Sequence, residues 1–143
     1  HFAPRMLGQA IQLYRENFQA SEYLDKPYVS MGVPTVVAET DEEAEYLATS
    51  AYQRVLGLMR GQSLKLKAPV ESMQGLWSPA EKMSVDNFYA MGQVGSHAKV
   101  KTGLERLLNK YDVDEFIFTC DIYDTDKRIE NFSRLMQIKN DPN

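Results

Sequence analysis

Cysteine and histidine are scarce in this sequence, and their scarcity excludes several kinds of site. The 143 residues include one cysteine, Cys120, and two histidines, His1 and His97. A single cysteine gives no disulfide framework, so we expect a protein of a reducing compartment, the cytoplasm. Residues so far apart in sequence show neither a metal-ligand spacing nor a hydrolytic catalytic set, and no phosphate-binding glycine motif is present. The sequence therefore predicts no metal site and leaves the catalytic residues unknown.

An excess of positive charge and long apolar runs are also lacking. Lysine and arginine number 16 against 20 acidic residues, for a net charge of −4, and they form no basic stripe. This balance argues against a nucleic-acid partner. No apolar run approaches the roughly 20 residues of a membrane span, so we expect no membrane partner. With 43% hydrophobic residues, the composition is that of an ordinary globular domain.

The clearest structural pattern lies between Asp114 and Leu135. An apolar, β-branched and aromatic run, 115–123, predicts a strand buried on both faces. Acidic and hydroxyl residues follow at 124–126 and are suited to cap a helix. Apolar residues then recur at helical spacing at Ile129, Phe132, Leu135 and Met136. A buried strand that leads directly into an amphipathic helix indicates half of a βαβ unit, and hence a parallel sheet.

A second strand–helix unit precedes it. The run from Tyr28 to Ala38 predicts a strand, in which Pro34 indicates a bulge or bend because proline cannot donate to a ladder. Thr40 and Glu43 have the spacing of a capping box, and the apolar stripe behind them predicts a helix over 41–59. Only these two full strands are visible. Because two parallel strands are marginal alone, we expect the sheet to be completed by residues outside this sequence.

The remaining chain predicts further helices at 5–18 and 97–110. Between them, 60–93 is too long and too irregular for a plain connection, so we expect an excursion over one end of the domain. Ser78, Pro79 and Glu81 in this segment predict a short capped helix, directly after Trp77. The predicted fold class is α/β, with about two parallel strands and four or five helices.

Several segments, taken in order, carry a resemblance to a known family. They are the opening HFAP, then LYRENFQAS, PYVSMGVPTVVAETDEEAEYLA, LWSPAE, VGSHAKV and DEFIFTCDIYDTDKRIENF. Together they resemble the C-terminal part of luciferase-like, flavin-dependent monooxygenases. The resemblance implies a partial TIM (β/α)₈ barrel, with 1–143 as a single-domain fragment and 60–93 as an insertion near the mouth. His1 and Phe2 would end the sixth strand, 28–38 would be the seventh and 115–122 the eighth.

The resemblance also implies an activity. Members of the family use reduced FMN and O₂ to oxygenate a small organic substrate, and a flavin reductase commonly supplies the reduced flavin. Much of their flavin-binding apparatus lies in earlier strands, so we expect that this chain alone does not hold FMN. A homo-oligomer is expected as well. Two alternatives stay open: a non-catalytic remnant or assembly module of the same fold, and a deazaflavin-dependent barrel oxidoreductase.

Five residues are candidates for a cofactor or substrate pocket: His1, Glu39, Trp77, Thr119 and Asp121. Alternation along the last strand puts Thr119 and Asp121 on the face that becomes polar toward its C-terminal end, where barrel active sites lie. The competing interpretation is that Asp121 caps a backbone amide or pairs with Arg128. Gly95 and Ser96 before a helix admit a bound phosphate, but a plain helix cap is favoured.

Overall fold

A computed structural model describes residues 6–141 of the chain. In this part of the chain there are five helices and three strands. In chain order they are α1 (Leu7–Glu16), β1 (Ser30–Ala38), α2 (Asp41–Met59), α3 (Pro79–Phe88), β2 (Gln93–Ser96), α4 (His97–Tyr111), β3 (Glu115–Thr119) and α5 (Thr125–Asn140). The α/β class and the parallel arrangement predicted from the sequence are confirmed.

The three strands form one parallel sheet in the order β2-β1-β3. The central strand β1 changes partner along its length. It pairs with β3 from Ser30 to Pro34 and with β2 from Thr35 to Ala38. Pro34 keeps a one-to-one register opposite Thr119, so the predicted bulge is wrong. The missing backbone donor falls where one ladder ends and the other begins, and there it disrupts little.

The strand β2 corrects the sequence-based count of two strands. The sequence predicted that Gly95 and Ser96 only precede a helix, whereas Val94 to Ser96 pair with β1 before α4 begins at His97. A four-residue strand containing Gly95 is too short to show a period of two. The helix bounds were predicted more closely, and α2 begins and ends at the predicted residues.

The helices cover the sheet unequally. On one face, α1, α4 and α5 pack on β1 through an apolar core that includes Leu7, Ile11, Met31, Val33, Leu104 and Leu135. On the other face, α2 covers only the C-terminal half of β1, where Val36 and Ala38 contact Ala44 and Leu47. Right-handed crossovers require this division, because β2 and β3 lie on opposite sides of β1.

The N-terminal half of the second face has no covering layer among the described residues. We call it the open face, and it consists of Ser30, Gly32, Pro34, Glu115, Ile117 and Thr119. Ile117 is 53% exposed there, although it stands in the middle of a strand. An apolar side chain so exposed within a parallel sheet is unusual, because such sheets are normally covered on both faces.

Only some of the apolar residues that recur at helical spacing along α5 pack into the core. Of the four residues that define its predicted stripe, Leu135 is buried, while Ile129, Phe132 and Met136 are exposed. The fully buried residue beside Leu135 is the polar Asn131. The helix predicted from this spacing is confirmed, but burial follows the amphipathic pattern only in part among the described residues.

The segment 60–92 is fastened to α2 rather than extended away from it. Ser78 and Glu81 form the predicted capping box at the start of α3. Arg60 bonds Glu81 at 2.7 Å, and its guanidinium also reaches the carbonyl of Leu76. Aromatic residues of the segment complete a small core against α2. Within 6–141, no helix is long and apolar enough to cross a membrane.

Candidate functional site

An ion pair stands at the C-terminal end of the sheet. Asp121 lies two residues beyond β3, and Arg54 reaches it from α2 with Nε at 3.0 Å and Nη2 at 2.5 Å from Oδ2. Each side chain is about one-third exposed, at 29% for Arg54 and 33% for Asp121. Burial opposes the charge of Arg54, but the hydrogen bond and charge of Asp121 outweigh it and raise the pKa of the guanidinium. The guanidinium of Arg54 therefore stays charged at neutral pH.

The partner of Asp121 differs from both structural alternatives considered for it. Among residues 6–141, Asp121 neither accepts a hydrogen bond from a backbone amide nor pairs with Arg128. Arg128 instead donates to the carbonyl of Ile122 from Nε and Nη2, at 3.0 and 2.7 Å. Arg128 thus holds the chain where it leaves β3, and Asp121 is left to face α2.

Two tyrosines adjoin the ion pair. Tyr52 on α2 and Tyr89, just after α3, meet edge to face with ring centroids 5.5 Å apart. Burial raises the pKa of Tyr89 to about 12, and the charge of Asp121 acts in the same direction. Burial likewise raises the pKa of Tyr52 above its usual range. Both side chains are therefore neutral phenols at physiological pH.

Thr119 and Asp121, the two candidates from β3, line one small cavity together with Tyr89. The side chain of Thr119 lies on the open face, and its carbonyl accepts a long hydrogen bond of 3.4 Å from Thr35 Oγ1. The structure thus brings these two predicted residues together at the C-terminal edge of the sheet, the edge at which α/β proteins bind ligands.

The other three candidates lie apart from this cavity. The backbone N–H of Glu39 donates to Glu43 Oε2 at 3.2 Å, and the side chain of Glu39 is exposed beside the capping box. Trp77 packs on Tyr52 at 6.2 Å and lines a different, open groove of about 620 Å³ between α2 and the segment 60–92. His1 lies outside the described residues.

The contacts of the Ser96 amide decide between the two interpretations of the turn at Gly95 and Ser96, a helix cap and a phosphate site. The Ser96 amide donates to Asp41 Oδ1 at 2.7 Å, and Lys99 stands 3.6 Å from the other oxygen. The bond from Ser96 is the main reason that the pKa of Asp41 is lowered. A carboxylate of α2 therefore occupies the position that a phosphate would need, and the cap comes from Asp41 rather than from the Ser96 hydroxyl.

The basic side chains near the C-terminal ends of the strands are likewise engaged. Arg54 pairs with Asp121, Lys99 lies within 4 Å of Asp41 and Glu45, and Lys127 bonds Glu43 at 2.8 Å. The N-terminus of α5 is capped by Asp124. A flavin phosphate carries up to two negative charges and needs free amides or cations. The described residues therefore do not fit the phosphate of FMN.

Sequence reasoning missed Arg54 and Tyr89. Arg54 stands between Ala51 and Val55, both of which are buried on α2. A charged residue beside an apolar stripe is a usable signal, since a half-buried arginine needs an anionic partner. For Tyr89 no such signal exists, because its position depends on how the segment 60–92 folds back.

The fold and the edge site define the class: an α/β protein with a parallel sheet and polar side chains at the C-terminal edge. No protein-family model matches the chain. The chain is 39% identical over 139 residues to a protein of Escherichia coli (strain K12) named luciferase-like monooxygenase, covering 97% of this chain and 42% of that protein. The uncharacterized protein YvbT of Bacillus subtilis is 38% identical over 138 residues, covering 96% of this chain and 41% of that protein.

These matches confirm the resemblance on which the sequence analysis relied. Over nearly all of its length, the chain is homologous to part of proteins named luciferase-like monooxygenase. It spans about 42% of the length of those relatives. The crystal structure of apo-MsnO8 superimposes with a TM-score of 0.73 at 18% identity, over 98% of this chain and 43% of that chain. That likeness extends the agreement to the fold.

Proposed function

We propose that this chain is the C-terminal part of an FMN-dependent monooxygenase, which uses reduced flavin and O₂ to oxygenate a small organic substrate. The observation that carries the proposal is the 39% identity to a luciferase-like monooxygenase over 97% of the chain. Identity at this level over 139 residues includes the strand–helix units as well as the segment between them.

The geometry of the sheet supports the same proposal. In this proposal the N-terminal halves of β1 and β3 contribute their open face to the wall of a (β/α)₈ barrel, while α2 lies across the C-terminal half of the same face of β1. The C-terminal edge of the sheet carries Thr119, Asp121 and Arg54, and barrel enzymes bind and transform their ligands at that edge. The exposed Ile117 then becomes buried, which removes the anomaly of an uncovered strand.

The chain's own contribution is to enclose the site rather than to hold the cofactor. Because its basic groups near the edge are already paired, we propose that residues outside this chain bind the FMN phosphate. When bound, the flavin supplies the oxygen chemistry, while residues of this chain shape one wall and exclude water. A separate flavin reductase and a homo-oligomeric assembly remain part of the proposal for the whole protein.

A chimera tests this function. The matching 139 residues of the Escherichia coli relative are replaced by this chain, and the oxygenated product is followed with reduced FMN, O₂ and candidate small organic substrates. We expect product formation by the folded chimera within roughly tenfold of the relative itself. A folded chimera that forms no oxygenated product where the relative does would contradict the proposal. Activity with a reduced deazaflavin, but not with reduced FMN, would point to the related barrel class instead.

A further inference from the structure

The open groove of about 620 Å³ between α2 and the segment 60–92 carries an excess of negative charge. Four carboxylates line it, and a single ammonium group, that of Lys82, stands among them. The carboxylates come from three parts of the chain: Glu42 and Glu45 on α2, Glu71 before α3, and Asp86 on α3. The groove is therefore complementary to a positively charged occupant.

Two of these carboxylates have no counter-ion within the chain. Lys82 bonds Asp86 at 2.6 Å, and Lys99 comes only within 3.9 Å of Glu45. The ion pairs formed within residues 6–141 do not include Glu42 or Glu71. In the same part of the chain, no three acidic, histidine or cysteine side chains are close enough together to hold a metal ion. The negative charge is thus spread along the groove, and it suits a ligand whose positive charges are spread as well.

Aromatic rings supply a second feature that favours an organic cation. The rings of Trp77 and Tyr52 pack with their centroids 6.2 Å apart, and both line the groove. The Nζ atom of Lys82 stands 5.8 Å from the centroid of the Trp77 ring, within the range of a cation–π contact. The Trp77 ring is therefore accessible to an ammonium group. Because the side chain of Lys82 is 54% exposed, it can turn away from the ring when a ligand enters.

The walls of the groove are fixed by hydrogen bonds within the chain. The Val70 amide donates to Thr49 Oγ1 at 2.9 Å, and Gln53 Nε2 donates to the carbonyl of Ala68 at 2.9 Å. These two bonds hold residues 68–70 along α2, so the wall that carries Glu71 is in place before a ligand binds. A preformed site lowers the entropic cost of binding.

We propose that this groove is a binding site for a linear aliphatic polyamine. Glu42 and Tyr52 lie on the same helix, and the helical rise places them about 15 Å apart along α2. An extended polyamine distributes ammonium groups over such a length, opposite the carboxylates, while its methylene groups pack on the aromatic rings. A small cation with one charge would leave distant carboxylates unpaired. The groove is separate from the cavity of Thr119 and Asp121, and its role does not depend on the proposed function.

Calorimetric titration of the 143-residue chain with spermine tests the site. We expect saturable binding of one spermine per chain, with a Kd at least roughly tenfold lower than that of butylamine, because several charge contacts replace one. Trp77 is the only tryptophan of the sequence, so its fluorescence should change with the same Kd. No saturable binding of spermine, or an equal Kd for butylamine, would overturn the proposal. Tighter binding of an oligolysine peptide than of spermine would overturn it in favour of a basic protein partner.

The variant Glu71→Gln tests the location of the site. It removes one carboxylate from the groove at an exposed position, and we expect the Kd of spermine to rise roughly three- to tenfold. The matched control is Glu22→Gln, which makes the same change of net charge at an exposed position between α1 and β1. It should leave the Kd within about twofold of that of the unaltered chain. Equal weakening in both variants would show non-specific attraction to a chain of net charge −4 and would refute the site.

Discussion

Two side chains supply contacts that the short strands of the sheet do not provide. The strand β3 ends at Thr119, level with Pro34, while β1 continues to Ala38. The N–H of Val37 therefore has no strand partner on that side, and it donates instead to Asn131 Oδ1 at 2.7 Å. In the same region Arg54 bridges from α2 to the chain beyond β3. Polar side chains on α5 and α2 thus hold the chain together beyond Thr119, where the hydrogen-bonded ladder between β1 and β3 ends.

The substitution Asn131→Ala should be strongly destabilising. It leaves the buried Val37 N–H without a partner and opens a small cavity at a position that is 0% exposed. We expect the free energy of unfolding to fall by about 2–4 kcal/mol. Urea denaturation measures the change. Ser133→Ala, two residues further along the exposed side of α5, should change it by less than about 0.5 kcal/mol. Similar losses in both variants would show that Asn131 does not support the sheet.

The substitution Arg54→Met should also reduce stability, but by less. It keeps much of the aliphatic stem and leaves the carboxylate of Asp121 without its partner. Because both side chains are about one-third exposed, water screens part of the loss, and we expect about 1–2 kcal/mol. Lys82→Met breaks the pair with Asp86, whose side chains are 54% and 55% exposed, and should cost at most about 0.5 kcal/mol. A reversed order of the two effects would contradict the assignment of Arg54.

At the scale of elements, the short helix α3 depends on a charged cap. Glu81 accepts from the Ser78 amide at 2.7 Å and from Arg60 at 2.7 and 3.0 Å. The hydrogen bond from Arg60, followed by those from Ser78, lowers the pKa of Glu81 from its ordinary 4.5 to about 2. A carboxyl group whose folded pKa is depressed stabilises the fold above its unfolded pKa and loses that effect as it is protonated.

We therefore expect α3 to loosen as the pH falls from about 4.5 toward 2, the interval between the unfolded and folded pKa values of Glu81. Trp77 lies directly before the cap and packs on Tyr52, so its fluorescence reports the change. In Glu81→Gln the capping geometry is retained without a titrating group, and the fluorescence should be flat over this interval. A transition of equal size in Glu81→Gln would assign it to another group.

The junction between β2 and α4 depends on a glycine. Gly95 has φ +154°, and a Cβ there would lie 2.9 Å from Asp41 Oδ1 and 2.5 Å from Lys99 Cδ. Gly95→Ala should therefore cost about 1–3 kcal/mol and weaken the Asp41 cap of α4. Gly8→Ala is the matched control, because its added Cβ meets only ordinary contact at 3.7 Å in a helix. It should stabilise the chain by up to about 1 kcal/mol. The same sign for both changes, measured by thermal unfolding, would contradict this account.

At the scale of the whole molecule, local patterns predicted the long elements and missed what depends on distant neighbours. The capping box at Thr40 and the stripe behind it identified α2 with its bounds. The strand β2 escaped notice because it is defined by pairing with β1 and not by its own four residues. The residues of the candidate site also divide into those that local patterns predicted and those that they did not. Alternation along β3 found Thr119 and Asp121, whereas the position of Tyr89 follows from the fold of a long segment.

The exposed apolar residues of β3 and α5 belong to the same scale. Ile117 on the open face and Ile129, Phe132 and Met136 on α5 expose apolar side chains that a complete sheet would cover. The chain matches about 42% of the length of its relatives. We therefore predict that the chimera described above unfolds at a higher temperature than the isolated chain, by at least about 5 °C. An equal or lower midpoint of thermal unfolding for the chimera would mean that covering these apolar side chains does not stabilise the chain.

The measurement that bears most directly on the proposed function is a fluorescence titration with FMN, performed in parallel on the isolated chain and on the chimera. Because the basic groups at the edge are paired with carboxylates and the Ser96 amide is held by Asp41, the isolated chain should show no saturable binding. The chimera should bind FMN with a Kd within roughly tenfold of that of the Escherichia coli relative. Saturable micromolar binding by the isolated chain, or no binding by a folded chimera, would contradict the assignment of this chain as one wall of a flavin site whose phosphate is held elsewhere.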